Sequence, residues 1–145
     1  MSRALQSGGA RADNGRVPAY AQPRSTAAYR EAAVLTATPE RLVVMLYDGA
    51  RRFLLQGAAA LREGRRSEAG ARLRRAELIL DELLVTLDLE AGGAIGSQLQ
   101  GLYVFFLRQL SEARADDDAD KVEWVADQLA ELREAWAQVA AAAAA

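Results

Sequence analysis

The chain contains neither cysteine nor histidine. Their absence excludes disulfides, thiolate nucleophiles, Cys/His zinc sites, Ser-His-Asp triads and the Glu-x-x-His pattern of di-iron bundles. Proline occurs only three times and aromatic residues make up only 6% of the sequence. Long apolar runs are missing as well: Leu42 to Leu46 and Leu102 to Leu107 fall far short of the roughly 20 residues that span a bilayer. The start of the chain has no apolar signal core, so a cytoplasmic protein without membrane insertion is expected. What is present is a helix former's composition, with 32 Ala and 20 Leu in 145 residues, 51% of them apolar. That length suits one domain.

The net charge is −2, unevenly spread. The first 24 residues carry Arg3, Arg11, Arg16 and Arg24 against Asp13. Six Arg between Arg62 and Arg75 face only Glu63 and Glu68, whereas nine acids between Glu112 and Glu134 face Arg114, Lys121 and Arg133. The basic run lacks interleaved aromatics and falls where a helical hairpin needs a soluble turn, which argues against a nucleic-acid partner. The Asp116, Asp117, Asp118 and Asp120 run lacks the spaced acids, turn glycine and terminal Glu of a calcium loop. It reads as a turn with a helix cap, and no metal or other cofactor is expected. Asp48 has no catalytic second member in reach and reads as a structural hydrogen-bonding group.

Residues 1–24 mix Ser, Gly, Ala, Arg, Gln and Pro without apolar period and read as a disordered leader before a domain at 25–145. Ala27, Ala28, Tyr29, Ala32, Ala33, Val34 and Leu35 form about two helical turns, too short to stand alone. Thr38, Pro39 and Glu40 then supply an N-cap oxygen, a preset first-turn torsion and an acid at the positive helix end. Four segments of about 22 to 27 residues follow, joined by short connections. The first has its apolar face at Leu42, Met45, Leu46, Gly49, Phe53, Gly57 and Ala60, and its two glycines imply close approach of a neighbouring backbone. Ser67 is the expected cap of the second, whose seam is Ala69, Leu73, Ala76, Leu80, Leu83 and Leu87, broken by Gly92 and Gly93. The third places Ile95, Leu99, Leu102, Phe106, Leu110 and Ala113 inward, and the fourth Val122, Val125, Leu129, Leu132, Trp136 and Val139. The fold class predicted is all-α: an antiparallel four-helix bundle with a short N-terminal helical segment lying on it.

One stripe per helix does not use all the apolar residues. Tyr47 and Leu54 on the first helix, Leu78 and Val85 on the second, and Tyr103, Val104 and Leu107 on the third are surplus; Met45 and Phe106 adjoin them on the seams. Two readings stay open for these nine positions, an unusually wide core or a groove for a partner helix. Trp124, off its own seam, either covers the bundle end or meets a partner.

The motifs themselves carry a resemblance. Ala28-Tyr29-Arg30, Val34-Leu35-Thr36-Ala37-Thr38-Pro39-Glu40-Arg41-Leu42, Met45-Leu46-Tyr47-Asp48-Gly49-Ala50 and Phe53-Leu54 stand in order. Leu87-Asp88-Leu89-Glu90, Gly92-Gly93, Ile95, Leu99, Leu102-Tyr103 and Glu131-Leu132-Arg133-Glu134-Ala135-Trp136 follow. From about Ala27 to Val139 the chain resembles the FliS family, the flagellar secretion chaperones of flagellin. The resemblance implies a non-enzymatic bundle that binds the C-terminal segment of flagellin in the cytoplasm, blocks premature polymerisation and aids delivery to a gate component of the type III export apparatus. It also implies that the segment bearing Tyr29, Val34 and Leu35 is a lid on the groove, displaced by the client. The leader and the closing alanines depart from the family pattern. The alternative from another class is a structural bundle that self-associates through the Leu102 to Leu107 face without a client, and a weak homodimer is compatible with either.

Overall fold

A computed structural model describes residues 37–87 and 89–144 and, before them, Ala28, Glu31 and Ala32, which are helical. The chain divides into two units, Met1–Ala37 and Thr38–Ala145. The leader 1–24 and the lid residues Tyr29, Val34 and Leu35 lie outside the described residues. The second unit holds α1 (Pro39–Arg62), α2 (Arg66–Thr86), α3 (Leu89–Asp116) and α4 (Ala119–Ala144).

Local chemistry sets the ends. Thr38 Oγ1 accepts the Arg41 N–H at 3.2 Å, with Pro39 and Glu40 in the first turn. At the other end Gly64 (φ 75°) sends its N–H to Leu61 O at 3.1 Å, and Arg65 N–H reaches Ala60 O at 2.9 Å. Those two bonds form a Schellman ending, in which a left-handed residue satisfies the last carbonyls. The turn leaves Arg65, not the expected Ser67, at the N-cap of α2, without a side-chain cap bond. The Gly92-Gly93 break falls within α3 at Gly93 (φ 56°, ψ −132°), on the left-handed side where a Cβ is strained. The acidic run turns and caps as expected. Asp117 takes the left-handed position (φ 53°), Asp118 N–H bonds Ala113 O at 2.9 Å, and Asp118 Oδ1 accepts the Lys121 N–H at 3.0 Å.

The links are short, so successive helices run antiparallel. Cross-helix pairs agree: Arg62 meets Asp120 at 2.7 Å and Glu123 at 2.8 Å, while Asp48, a turn or more earlier on α1, meets Arg133 further along α4 at 2.9 Å. The Asp48 carboxylate therefore serves the structural role expected of it. These pairs are largely exposed and are worth about 0–1 kcal/mol each, so they fix register more than stability.

Packing is uneven. α1 lies most intimately against α2 and α4, whereas α3 touches α2 and α4 more sparingly. Consequently α1 is buried on more than one side: Val44, Tyr47, Ala50, Leu54 and Ala58 are in the interior, with Gly49, Gly57 and Ala60 buried as well. The expected α1 seam is thereby corrected. Gly49 and Gly57 lie toward α2, but what approaches is chiefly side chain: a Cβ on Gly57 would stand 2.7 Å from Leu73 Cδ2, and one on Gly49 3.4 Å from Ile79 Cδ1. The α2 seam holds from Ala69 to Leu83. On α3 the stripe is Leu99, Tyr103, Phe106, Leu110 and Ala113, so Leu102 and Ile95 turn outward. On α4, Val122, Val125 and Leu129 are buried as expected; Leu132 and Trp136 are half-buried, and Ala140 replaces the exposed Val139.

Among the described residues one buried side-chain hydrogen bond crosses this interior. The Tyr47 and Tyr103 hydroxyls hydrogen-bond to each other, their rings 6.3 Å apart. Burial pushes both phenols up; for Tyr47 the Tyr103 contact adds to the rise, and for Tyr103 the bond from Tyr47 partly offsets it.

Gly57→Ala should lower stability by about 1–3 kcal/mol, because a Cβ there would stand 2.7 Å from Leu73 Cδ2 and 3.0 Å from its Cγ, so the branch point of the side chain has to shift as well as its tip. Gly101→Ala, where a Cβ meets nothing within 4 Å, should raise it by about 0.5–1 kcal/mol, read as opposite shifts in thermal midpoint. Tyr47→Phe and Tyr103→Phe should each cost roughly 1–3 kcal/mol by stranding the other hydroxyl, with the double variant costing less than their sum in urea melts. Unfolding returns the phenols to about pKa 10, so above that pH the unfolded chain holds fewer protons than the native one. The tyrosine contribution is intact below pH ~10 and is lost as pH rises beyond it; urea midpoints should decline there, less steeply in the double Phe variant.

Candidate protein-binding surface

Because α3 is held by one stripe, its flanks are left open. On the side facing α2, Val104 is 42% exposed and Leu107 half-buried; across the groove Leu78 is 47% and Val85 78% exposed. Leu78 and Val85 are seven apart and Val104 and Leu107 three apart, so helical period keeps the two α2 side chains on one face of their helix and the two α3 side chains on one face of theirs.

The other five expected groove residues stand elsewhere. Tyr47, Leu54, Tyr103 and Phe106 are at most 1% exposed and belong to the core, which corrects their assignment to an open groove. The physical reason is the position of α1: as the most surrounded helix it consumes the apolar side chains that one stripe would have left over. Met45 is half-buried on α1 and belongs to neither face of the α2–α3 groove.

A second apolar stripe runs along the α4 side of α3. Ile95, Leu102 and Phe105 are exposed there, with Trp124 and Val139 exposed on α4. Phe105 and Trp124 meet edge to face at 6.0 Å and 83°, and Phe106 braces the same indole from below at 6.3 Å. The T-shaped contact orders two large side chains that remain partly in water. Beside them a shallow pocket is bounded by Gln109, Asp118, Asp120 and Lys121. Ile95, Leu102 and Phe105 are functional candidates that periodicity hid, since a run apolar all the way round offers no contrast between faces. The off-seam position of Trp124 was the available signal.

The charged segments are largely engaged within the chain. Asp120 binds Arg62, Asp117 binds Arg66 at 3.2 Å, and Lys121 binds Glu112 at 3.0 Å, which raises the lysine's pKa. In the basic run Arg65 pairs with Glu63 and Glu68, Arg74 with Glu77 at 3.7 Å, and Arg75 lies over the Phe53 ring at 5.6 Å. Among the described residues no group of acids is arranged to hold a metal ion, and no helix is long and apolar enough to cross a membrane. What the arrangement offers a partner is ordered apolar area on both flanks of α3.

Comparison with known proteins agrees with this architecture. The family model described as "Flagellar protein FliS" matches residues 21–143. The flagellar secretion chaperone FliS of Salmonella typhimurium is 37% identical over 110 residues, covering 75% of this chain and 82% of the relative. That of Vibrio cholerae is 34% identical over 119 residues (79% and 88%), and that of Bacillus subtilis 30% over 113 (77% and 82%). With an all-α bundle and a match over nearly the whole folded region, the chain belongs to the FliS family of flagellar secretion chaperones.

Proposed function

We propose that this protein is a cytoplasmic export chaperone that binds the C-terminal segment of flagellin, keeps it from polymerising prematurely and assists its delivery to a gate component of the flagellar type III export apparatus. The observation that carries the reading is the apolar set of exposed Leu78 and Val85 on α2 with exposed Val104 and half-buried Leu107 on α3. An amphipathic client helix presents side chains at i, i+3, i+4 and i+7, the period that such a groove accepts. The second stripe at Leu102, Phe105 and Trp124 gives a longer client a place on the opposite flank, so that two client helices would clasp α3 between them.

The energetics suit a reversible holder. A client segment that folds on binding buries on the order of 1,000–3,000 Å² and loses several kcal/mol to ordering, which leaves moderate net affinity from large contact. Release needs no chemistry, only a competing arrangement of either partner, and no catalytic step enters this account.

Leu78→Asp and Val104→Asp replace exposed side chains and should leave the thermal midpoint nearly unchanged. Each should weaken binding of a flagellin C-terminal peptide at least about tenfold, since a buried aliphatic side chain is worth about 1.5–3 kcal/mol. Calorimetric titration measures this, with sedimentation of the chaperone alone as control. Unaltered affinity in both variants, or a tight dimer indifferent to peptide, would count against the reading.

A further inference from the structure

The groove between α2 and α3 ends, near the α1–α2 turn, in a cavity of about 330 Å³. Its wall includes Arg66, Ser67, Gly70 and Leu73 from the first turns of α2, with Arg114 from the last turn of α3 and Asp117 just beyond it. Arg66 and Gly70, one turn apart, share the face of α2 that lines the cavity. Gly70 keeps it open: a Cβ there would meet nothing within 4 Å.

The guanidinium groups are only partly used. Arg66 reaches Asp117 through Nε at 3.2 Å, with 70% of its side chain exposed. Arg114 gives Nη2 to Glu77 at 2.8 Å, while its Nε is buried and has no partner. Each guanidinium carries five N–H donors, so both retain donors for a further carboxylate. Toward the other end the groove has the opposite character: from Ala76 to Leu107 there is no basic residue, and Asp81 and Glu82 lie on α2 beyond the Glu77 that pairs with Arg114.

Resting on the client reading above, we propose that this cavity receives the free C-terminal carboxylate of the bound client helix, with the terminal side chain over Leu73 and Gly70. This assignment fixes the direction of the client. Its C-terminus, which carries both the carboxylate and the negative end of the helix dipole, points at Arg66 and Arg114, and its positive N-terminal end points toward Asp81. The client therefore runs antiparallel to α2. From Gly70 to Val85 the groove extends roughly 22 Å, the length of about 15 helical residues.

The test uses the full chain and a synthetic peptide of the last few dozen residues of the flagellin from the same organism, made once as the free acid and once as the C-terminal amide. The acid should bind about tenfold more tightly than the amide at low salt. Arg66→Gln, at an exposed position, should reduce that ratio to within about twofold, and Arg114→Gln should do likewise, with both variants melting as cooperatively as the parent. Equal binding of acid and amide, or a ratio that survives both substitutions, would overturn the cavity assignment while leaving the client reading intact. If neither peptide binds, the client reading falls and the assignment falls with it.

Discussion

Everything distinctive about this bundle depends on how tightly α1 is enclosed. Small residues permit it: Gly49 and Gly57 admit Ile79 and Leu73 from α2, and Ala50, Ala58 and Ala60 are fully buried. A helix so surrounded draws α2 and α4 onto itself and leaves α3 the least embraced member. The Tyr47–Tyr103 hydroxyl contact then assumes special weight, because it ties α3 to α1 at one defined register within an otherwise apolar interior. A single polar bond in such a setting resists a slip of one helical turn, since any slip strands two hydroxyls away from water.

From that asymmetry the surface follows. A helix fastened along one stripe must display its remaining sides, and the sequence Leu102-Tyr103-Val104-Phe105-Phe106-Leu107 makes those sides apolar. Tyr103 and Phe106 turn inward, while Leu102 and Phe105 appear on one flank and Val104 on the other. The same short run therefore supplies both the attachment of α3 and the area available to a partner. The side chains that fasten α3 are thus distinct from those it leaves exposed.

The sequence was most legible where one face contrasts sharply with the others. The Thr38-Pro39-Glu40 start, the α2 seam from Ala69 to Leu83 and the turn built on Asp117 and Asp118 all appear where they were expected. Leu78 and Val85 were visible as surplus because the α2 seam beside them is clean. Legibility failed where apolar residues surround a helix. On α1 the interior stripe proved to be Val44, Tyr47, Ala50 and Leu54, and on α3 the seam passed through Tyr103 rather than Leu102. No period can choose between two apolar faces; the choice depends on which neighbours arrive, a tertiary fact. Ser67 failed as a cap for a different reason, since the Gly64 ending brings the chain round early enough for α2 to begin at Arg66.

The central claim is that a client lies along the flanks of α3 while the stripe beneath it stays shut. Methyl-resolved NMR of the full chain, with and without a flagellin C-terminal peptide, tests it most directly. The account predicts large shifts at Leu78, Val85, Val104 and Leu107, with Leu54, Leu80 and Leu110 little changed. Shifts concentrated in those core methyls, with the groove methyls silent, would mean that the client opens the bundle instead of lying on it, and would contradict the account.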